Sequence, residues 1–125
     1  MSSPNRLHIN LFILIYLNEI VPLSAELKSF LTNKIKRTVY AKNEIINKEG
    51  EICNKLYVIK KGLVRGYCVS DTIDVTTWIS FDSEIFTSIT GFFKNEPARE
   101  NIQCLEVTHC EYLEYQDYQY CLKNF

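Results

Sequence analysis

The sequence predicts a mainly β domain with short flanking helices, and three observations carry that expectation. From Thr38 onward apolar residues recur in short runs with a period of two, as half-buried strands require. Turn residues such as Lys61-Gly62 and Ser70-Asp71-Thr72 separate the runs, leaving no room for helical crossovers. Sixteen aromatics (Trp78, eight Tyr and seven Phe) supply the buried area, and so many Tyr favour strands over a helix bundle.

The chain begins with a helical pattern opening near Ser3-Pro4, where Pro suits the first turn, and Leu7, Leu11, Leu14 and Ile15 fall on one stripe. Ile9, Phe12, Ile13, Tyr16 and Leu17 make its other faces apolar too, which implies burial on several sides or contact with a partner chain. Pro22 ends it. Ser24 then caps a second helix, in which Leu27, Phe30, Leu31 and Ile35 share a face.

Strands are expected at Thr38 to Lys42, Glu44 to Asn47, Lys55 to Lys60, Leu63 to Val69, Ile73 to Ile79, Asn101 to Val107 and Cys110 to Tyr115. Lys60-Lys61-Gly62 and Ser70-Asp71-Thr72 are short enough for hairpin turns. A helical period returns in Tyr118, Cys121, Leu122 and Phe125.

With 125 residues, no internal repeat and no linker, a single domain over 1–125 is expected: N-terminal helices in 1–36, a roll in 37–114 and the start of a C-terminal helix in 115–125. The net charge of −1 hides an asymmetry: residues 1–66 carry 11 Lys and Arg against 5 Asp and Glu, or +6, and residues 67–125 carry 3 against 10, or −7. The basic word Lys34-Ile35-Lys36-Arg37 sits at a helix end, where it complements the dipole. Five cysteines, none in a C-x-x-C pair, read as free thiols in a reducing cytosol. The apolar run Leu11 to Leu17 is far short of the ~20 residues of a bilayer span, and Asn18-Glu19 interrupts it, so neither export nor membrane anchoring is expected.

Glu49-Gly50-Glu51 followed by Leu56-Tyr57-Val58-Ile59-Lys60-Lys61-Gly62-Leu63-Val64-Arg65 resembles the signature of the cyclic nucleotide-binding domain in the Crp/Fnr (cyclic AMP receptor protein) family of transcription regulators. The resemblance spans nearly the whole chain and implies an antiparallel, jelly-roll-like β-roll. Gly50 and Gly62 fall at turn positions that need positive φ. In that family a Gly-Glu pair opens a short helix and a Pro-Arg-Ala stretch leads into the next strand; helix N-terminal amides and the Arg hold a cyclic phosphate, and the Glu holds the ribose hydroxyl.

Carried onto this chain, the resemblance implies a ligand site at Ser83, Glu84, Ile85, Phe86, Ala98 and Arg99, with Phe81-Asp82-Ser83-Glu84 as the helix opening. Ser83 replaces the Gly, Ala98 stands where the Arg follows Pro97, and Ile89 to Asn95 reads as an insertion that brings Phe92-Phe93 to the pocket. These departures weigh against cyclic AMP or cyclic GMP as the ligand, and no resident cofactor is expected.

No G-x-S-x-G, Walker or H-E-x-x-H word occurs, and His8 and His109 lack companions at metal-ligand spacing, so catalytic and metal sites are not expected. The expected function is a cytoplasmic ligand-sensing module of a Crp-like regulator, with a small-molecule effector and a homodimer partner. DNA contact would need a helix-turn-helix beyond Phe125. The alternative is a ligand-free interaction or dimerisation domain that uses the apolar first helix and the β-roll.

Overall fold

The computed structural model describes residues 24–124; the helix expected from Ser3-Pro4 to Leu17, its stop at Pro22, and Phe125 lie outside the described residues. Helix α1 (Ala25–Lys34) starts where expected. The Ser24 hydroxyl accepts a hydrogen bond from the Leu27 amide at 3.1 Å, and Ile35 ends the helix in an extended conformation.

Eight described strands follow: β1 (Lys36–Tyr40), β2 (Ile45–Asn47), β3 (Lys55–Lys61), β4 (Leu63–Ser70), β5 (Ile73–Phe81), β6 (Ile85–Phe86), β7 (Asn101–Cys104) and β8 (Thr108–Glu114). Helix α2 (Ile89–Lys94) separates β6 from β7, and α3 (Tyr115–Asn124) follows β8. The strands form two antiparallel four-stranded sheets, ordered β1-β8-β3-β6 and β2-β7-β4-β5. The jelly-roll-like β-roll expected from the sequence is the observed fold.

The main core lies between the sheets, with Tyr57, Ile59, Phe86 and Cys110 from one and Val64, Ile102 and Cys104 from the other. Ile59, Val64 and Ile102 are fully buried, a contribution of roughly 1.5–3 kcal/mol each from removing apolar area from water. Tyr57 stacks on Phe86 with centroids 4.7 Å apart, and its hydroxyl meets that of Tyr40 at 3.0 Å. A second cluster covers the outer face of the first sheet, where Leu31 and Ile35 pack on Val58 and Leu113. Phe30 of α1 stacks on Tyr120 of α3 at 4.6 Å. With both faces covered, β3 reads as a continuous buried run from Leu56 to Ile59.

Several local expectations need correction. Lys60-Lys61-Gly62 is not a hairpin turn, because β3 pairs with β6 and β8 while β4 pairs with β5 and β7; the chain crosses between sheets at Gly62. Gly62 has φ +148°, and Thr108 packs directly against its α-carbon. Ser70-Asp71-Thr72 does turn a hairpin, with Asp71 and Thr72 at φ 51° and 67°. The strand expected over Asn101 to Val107 stops at Cys104, and the next begins at Thr108 rather than Cys110. The β structure begins at Lys36, and β6 was not expected at all.

Candidate functional site

The region the sequence marks for ligand chemistry runs from Phe81 to Arg99 and joins β5 of one sheet, through β6 of the other, to β7. Its first part is a tight turn. The Glu84 amide donates to the Phe81 carbonyl at 3.0 Å, and the Glu84 carboxylate accepts from the Phe81 amide at 2.8 Å. Ser83 sits at φ 70°, and the Asp82 carboxylate accepts from the Gly62 amide at 2.9 Å. Ser83 and Glu84 are exposed and open a turn into β6, so the helix opening expected at Phe81-Asp82-Ser83-Glu84 is corrected. The carboxylate satisfies a local backbone donor, which is turn chemistry.

Ile85 and Phe86 are the two residues of β6, paired with Val58 and Tyr57. Phe86 is buried between the ring of Tyr57 and that of Trp78, whose centroid is 6.0 Å away. Ile85 packs on the outer cluster beneath α1 and α3, on the opposite face of the sheet.

The short helix opens only after Thr87-Ser88. The Ser88 hydroxyl accepts from the Gly91 amide at 3.2 Å, and the Phe92 amide donates to the Ser88 carbonyl at 2.8 Å, so Ser88 is the N-cap of α2. Thr87 donates to the Lys55 carbonyl at 2.8 Å, with the Cys53 sulfur at 3.5 Å. Gly91 backs onto Cys53 so closely that a β-carbon would lie 2.9 Å from it. The stretch read as an insertion is therefore the helix itself. Phe92 does not enter the roll; it is fully buried against Tyr115 and Tyr118 of α3, with centroids at 5.5 and 5.2 Å.

Beyond α2 the chain is pinned to the turn after β2. The Ala98 amide donates to the Glu51 carbonyl and the Gly50 amide donates to the Ala98 carbonyl, both at 2.8 Å. Asn101 accepts from the Glu49 amide at 2.9 Å. This double clasp buries Ala98 to 3% exposure, while Arg99 stays exposed and its carbonyl accepts from the Cys68 thiol at 3.4 Å. On the opposite wall, Trp78 of β5 lies across Gly66 of β4. Burial raises the Tyr57 hydroxyl and pushes the Cys110 thiol up to about 12, which keeps both neutral and the interior apolar. Among the described residues no group of three His, Cys, Asp or Glu could hold a metal.

Six sequence candidates thus divide. Phe86 and Ala98 are interior, Arg99 is exposed, Ser83 and Glu84 make the turn, and Ile85 lies on the outer face of the sheet. The sequence reading missed Thr87, Ser88, Gly66 and Trp78. A Ser immediately before Ile-Thr-Gly-Phe-Phe was the available signal, as an N-cap ahead of an apolar turn.

The model of the cyclic nucleotide-binding domain matches residues 37–125, well over half of the chain. The chain belongs to the cyclic nucleotide-binding domain family. No curated protein matches it. Similar solved structures include the regulatory subunit of a cAMP-independent protein kinase A from Trypanosoma cruzi bound to guanosine, with TM-score 0.79 and 15% identity over 98% of this chain and 44% of that one. The catabolite activator protein of Thermus thermophilus gives TM-score 0.71 and 18% identity over 83% of this chain and 49% of that one. The CO-dependent transcription factor CooA of Carboxydothermus hydrogenoformans, in an imidazole-bound form, gives 0.61 and 23% over 86% and 45%. The chain spans less than half the length of each of these three. For this cyclic nucleotide-binding domain, then, Thr87-Ser88 is the residue pair that opens the short helix and Ala98 the residue that follows its Pro.

Proposed function

We propose that this chain is the sensory domain of a Crp-like transcription regulator, and that its effector is a small molecule held without the family's carboxylate and arginine contacts to a cyclic nucleotide. Family membership and likeness to Crp-type regulators support the first part. One observation carries the second: the helix-opening pair is Thr87-Ser88, whose hydroxyls are engaged within the protein, and the residue after Pro97 is a buried Ala98. Neither position offers the ribose a carboxylate or the phosphate a guanidinium. Arg99 and Phe86 are the sequence candidates retained for effector contact, beside Trp78.

The domain acts by binding, in the cytoplasm, and as one half of a homodimer. DNA contact would require a helix-turn-helix, and none of the motifs read in this chain supplies one. No described helix is long and apolar enough to cross a membrane. Thermal unfolding in the presence of a metabolite panel tests this reading. An effector at a hundredfold excess over its Kd adds about 2.7 kcal/mol of stability, a rise of about 10 °C in Tm for a domain of this size. The rise is expected to shrink in Arg99→Ala and to persist in Glu84→Ala; an equal rise in both would remove Arg99 from the site.

A second reading, an interaction domain without effector, is favoured by the Trp78 indole filling the space above Gly66. It requires that no metabolite moves Tm while sedimentation detects a dimer that is lost when residues 1–22 are removed.

A further inference from the structure

A cavity of about 540 Å³ opens on the outer face of the first sheet, away from the α2 region, and its lining includes Lys36, Arg37, Lys60 and His109. The strand register explains the convergence. His109 of β8 lies between Val39 of β1 and Lys61 of β3, and Arg37 shares the face of Val39 two residues along. Lys60 falls at the register shift between Ile59 and Lys61.

The basic word at the end of α1 is thereby split. Lys34 sits over the Phe30 ring at 5.8 Å, and Lys36 is held by the Glu114 carboxylate at 2.7 Å. Arg37 and Lys60 are exposed and form no ion pair among the described residues. The cross-strand neighbour of Arg37, Glu111, is fully buried and does not line the cavity. Two cations that form no ion pair among the described residues and an imidazole thus line one concave site, with no carboxylate on its lining, within the size range of small-molecule pockets.

We infer that this cavity is a second ligand site, which takes a phosphorylated small molecule through Arg37 and Lys60. A guanidinium fork on β1 and an ammonium on β3, the two strands that flank β8, suit the several oxygens of a phosphate group. The inference is independent of what the α2 region binds.

Titration of the isotopically labelled 125-residue chain with inorganic pyrophosphate, followed by amide resonances, tests it. Saturable shifts are expected at Arg37, Lys60 and His109, with Thr87 and Ser88 unmoved. Arg37→Gln/Lys60→Gln, with unchanged circular dichroism, is expected to weaken binding by about tenfold or more, and Lys60→Arg to retain it. Absence of shifts at millimolar pyrophosphate, shifts scattered over the other lysines, equal affinity in the double variant, or response to a DNA duplex but not to pyrophosphate would each overturn it.

Discussion

The indole of Trp78 lies against the α-carbon of Gly66 on the paired strand, so closely that any β-carbon there would overlap the ring. The glycine is a requirement of space, and the contact closes the inner wall of the roll beside Phe86. Gly66→Ala is expected to displace the indole and to destabilise by about 1–3 kcal/mol, the usual range for an overpacked interior. Because Trp78 is the sole tryptophan, its emission maximum should move red in the folded variant.

Gly62 marks the crossing between sheets, and two constraints coincide on it. Its φ of +148° disfavours side chains, and a β-carbon would meet the Thr108 α-carbon at 2.7 Å. Urea unfolding of Gly62→Ala should show a loss of about 1–3 kcal/mol with an unchanged m-value. A loss under about 0.5 kcal/mol would mean that the crossing can relax.

The cysteines should separate by reactivity. Cys53, Cys104 and Cys110 are buried and Cys68 and Cys121 half-buried; burial raises the Cys104, Cys110 and Cys121 thiols, so access is what separates the two groups. Timed alkylation at neutral pH with mass-spectrometric readout should modify Cys68 and Cys121 first, and the other three only after unfolding.

Acid stability has two identifiable contributors. A hydrogen bond from Arg65 holds Asp74 below the ordinary carboxylate range, and one from Lys36 does the same for Glu114. A carboxyl depressed in the folded state adds stability that is fully present above its unfolded value near ~4 and is lost as pH falls through the folded value. The decline in stability between about pH 5 and pH 2 should therefore be shallower in Asp74→Asn/Glu114→Gln than in the parent chain.

The strand pattern was legible because β1, β3, β4 and β5 carry side chains whose alternation or apolarity survives in one dimension, and because Gly50 at a turn and Gly62 at the crossing between sheets both adopt positive φ. Strand β6 was not legible, since its two residues make only two ladder pairs and have no period to detect. Ser83 at φ 70° hid the turn, because a serine there carries none of the usual glycine signal. That turn moves the helix opening from Phe81-Asp82-Ser83-Glu84, where the resemblance implies it, to Ser88. The site's other determinants are long-range: Ala98 clasped to Gly50 and Glu51, Phe92 drawn to α3, and Trp78 laid over Gly66. Such contacts leave no local pattern in the chain.

Calorimetric titration of the chain with cyclic AMP and cyclic GMP tests the central claim most directly. With Ser88 and Ala98 at the two anchor positions, no saturable heat is expected for either nucleotide at concentrations up to about 1 mM, where a Kd corresponds to roughly 4 kcal/mol. Micromolar binding of either one that disappears in Arg99→Ala would contradict it, because Arg99 would then be supplying the phosphate contact that Ala98 lacks.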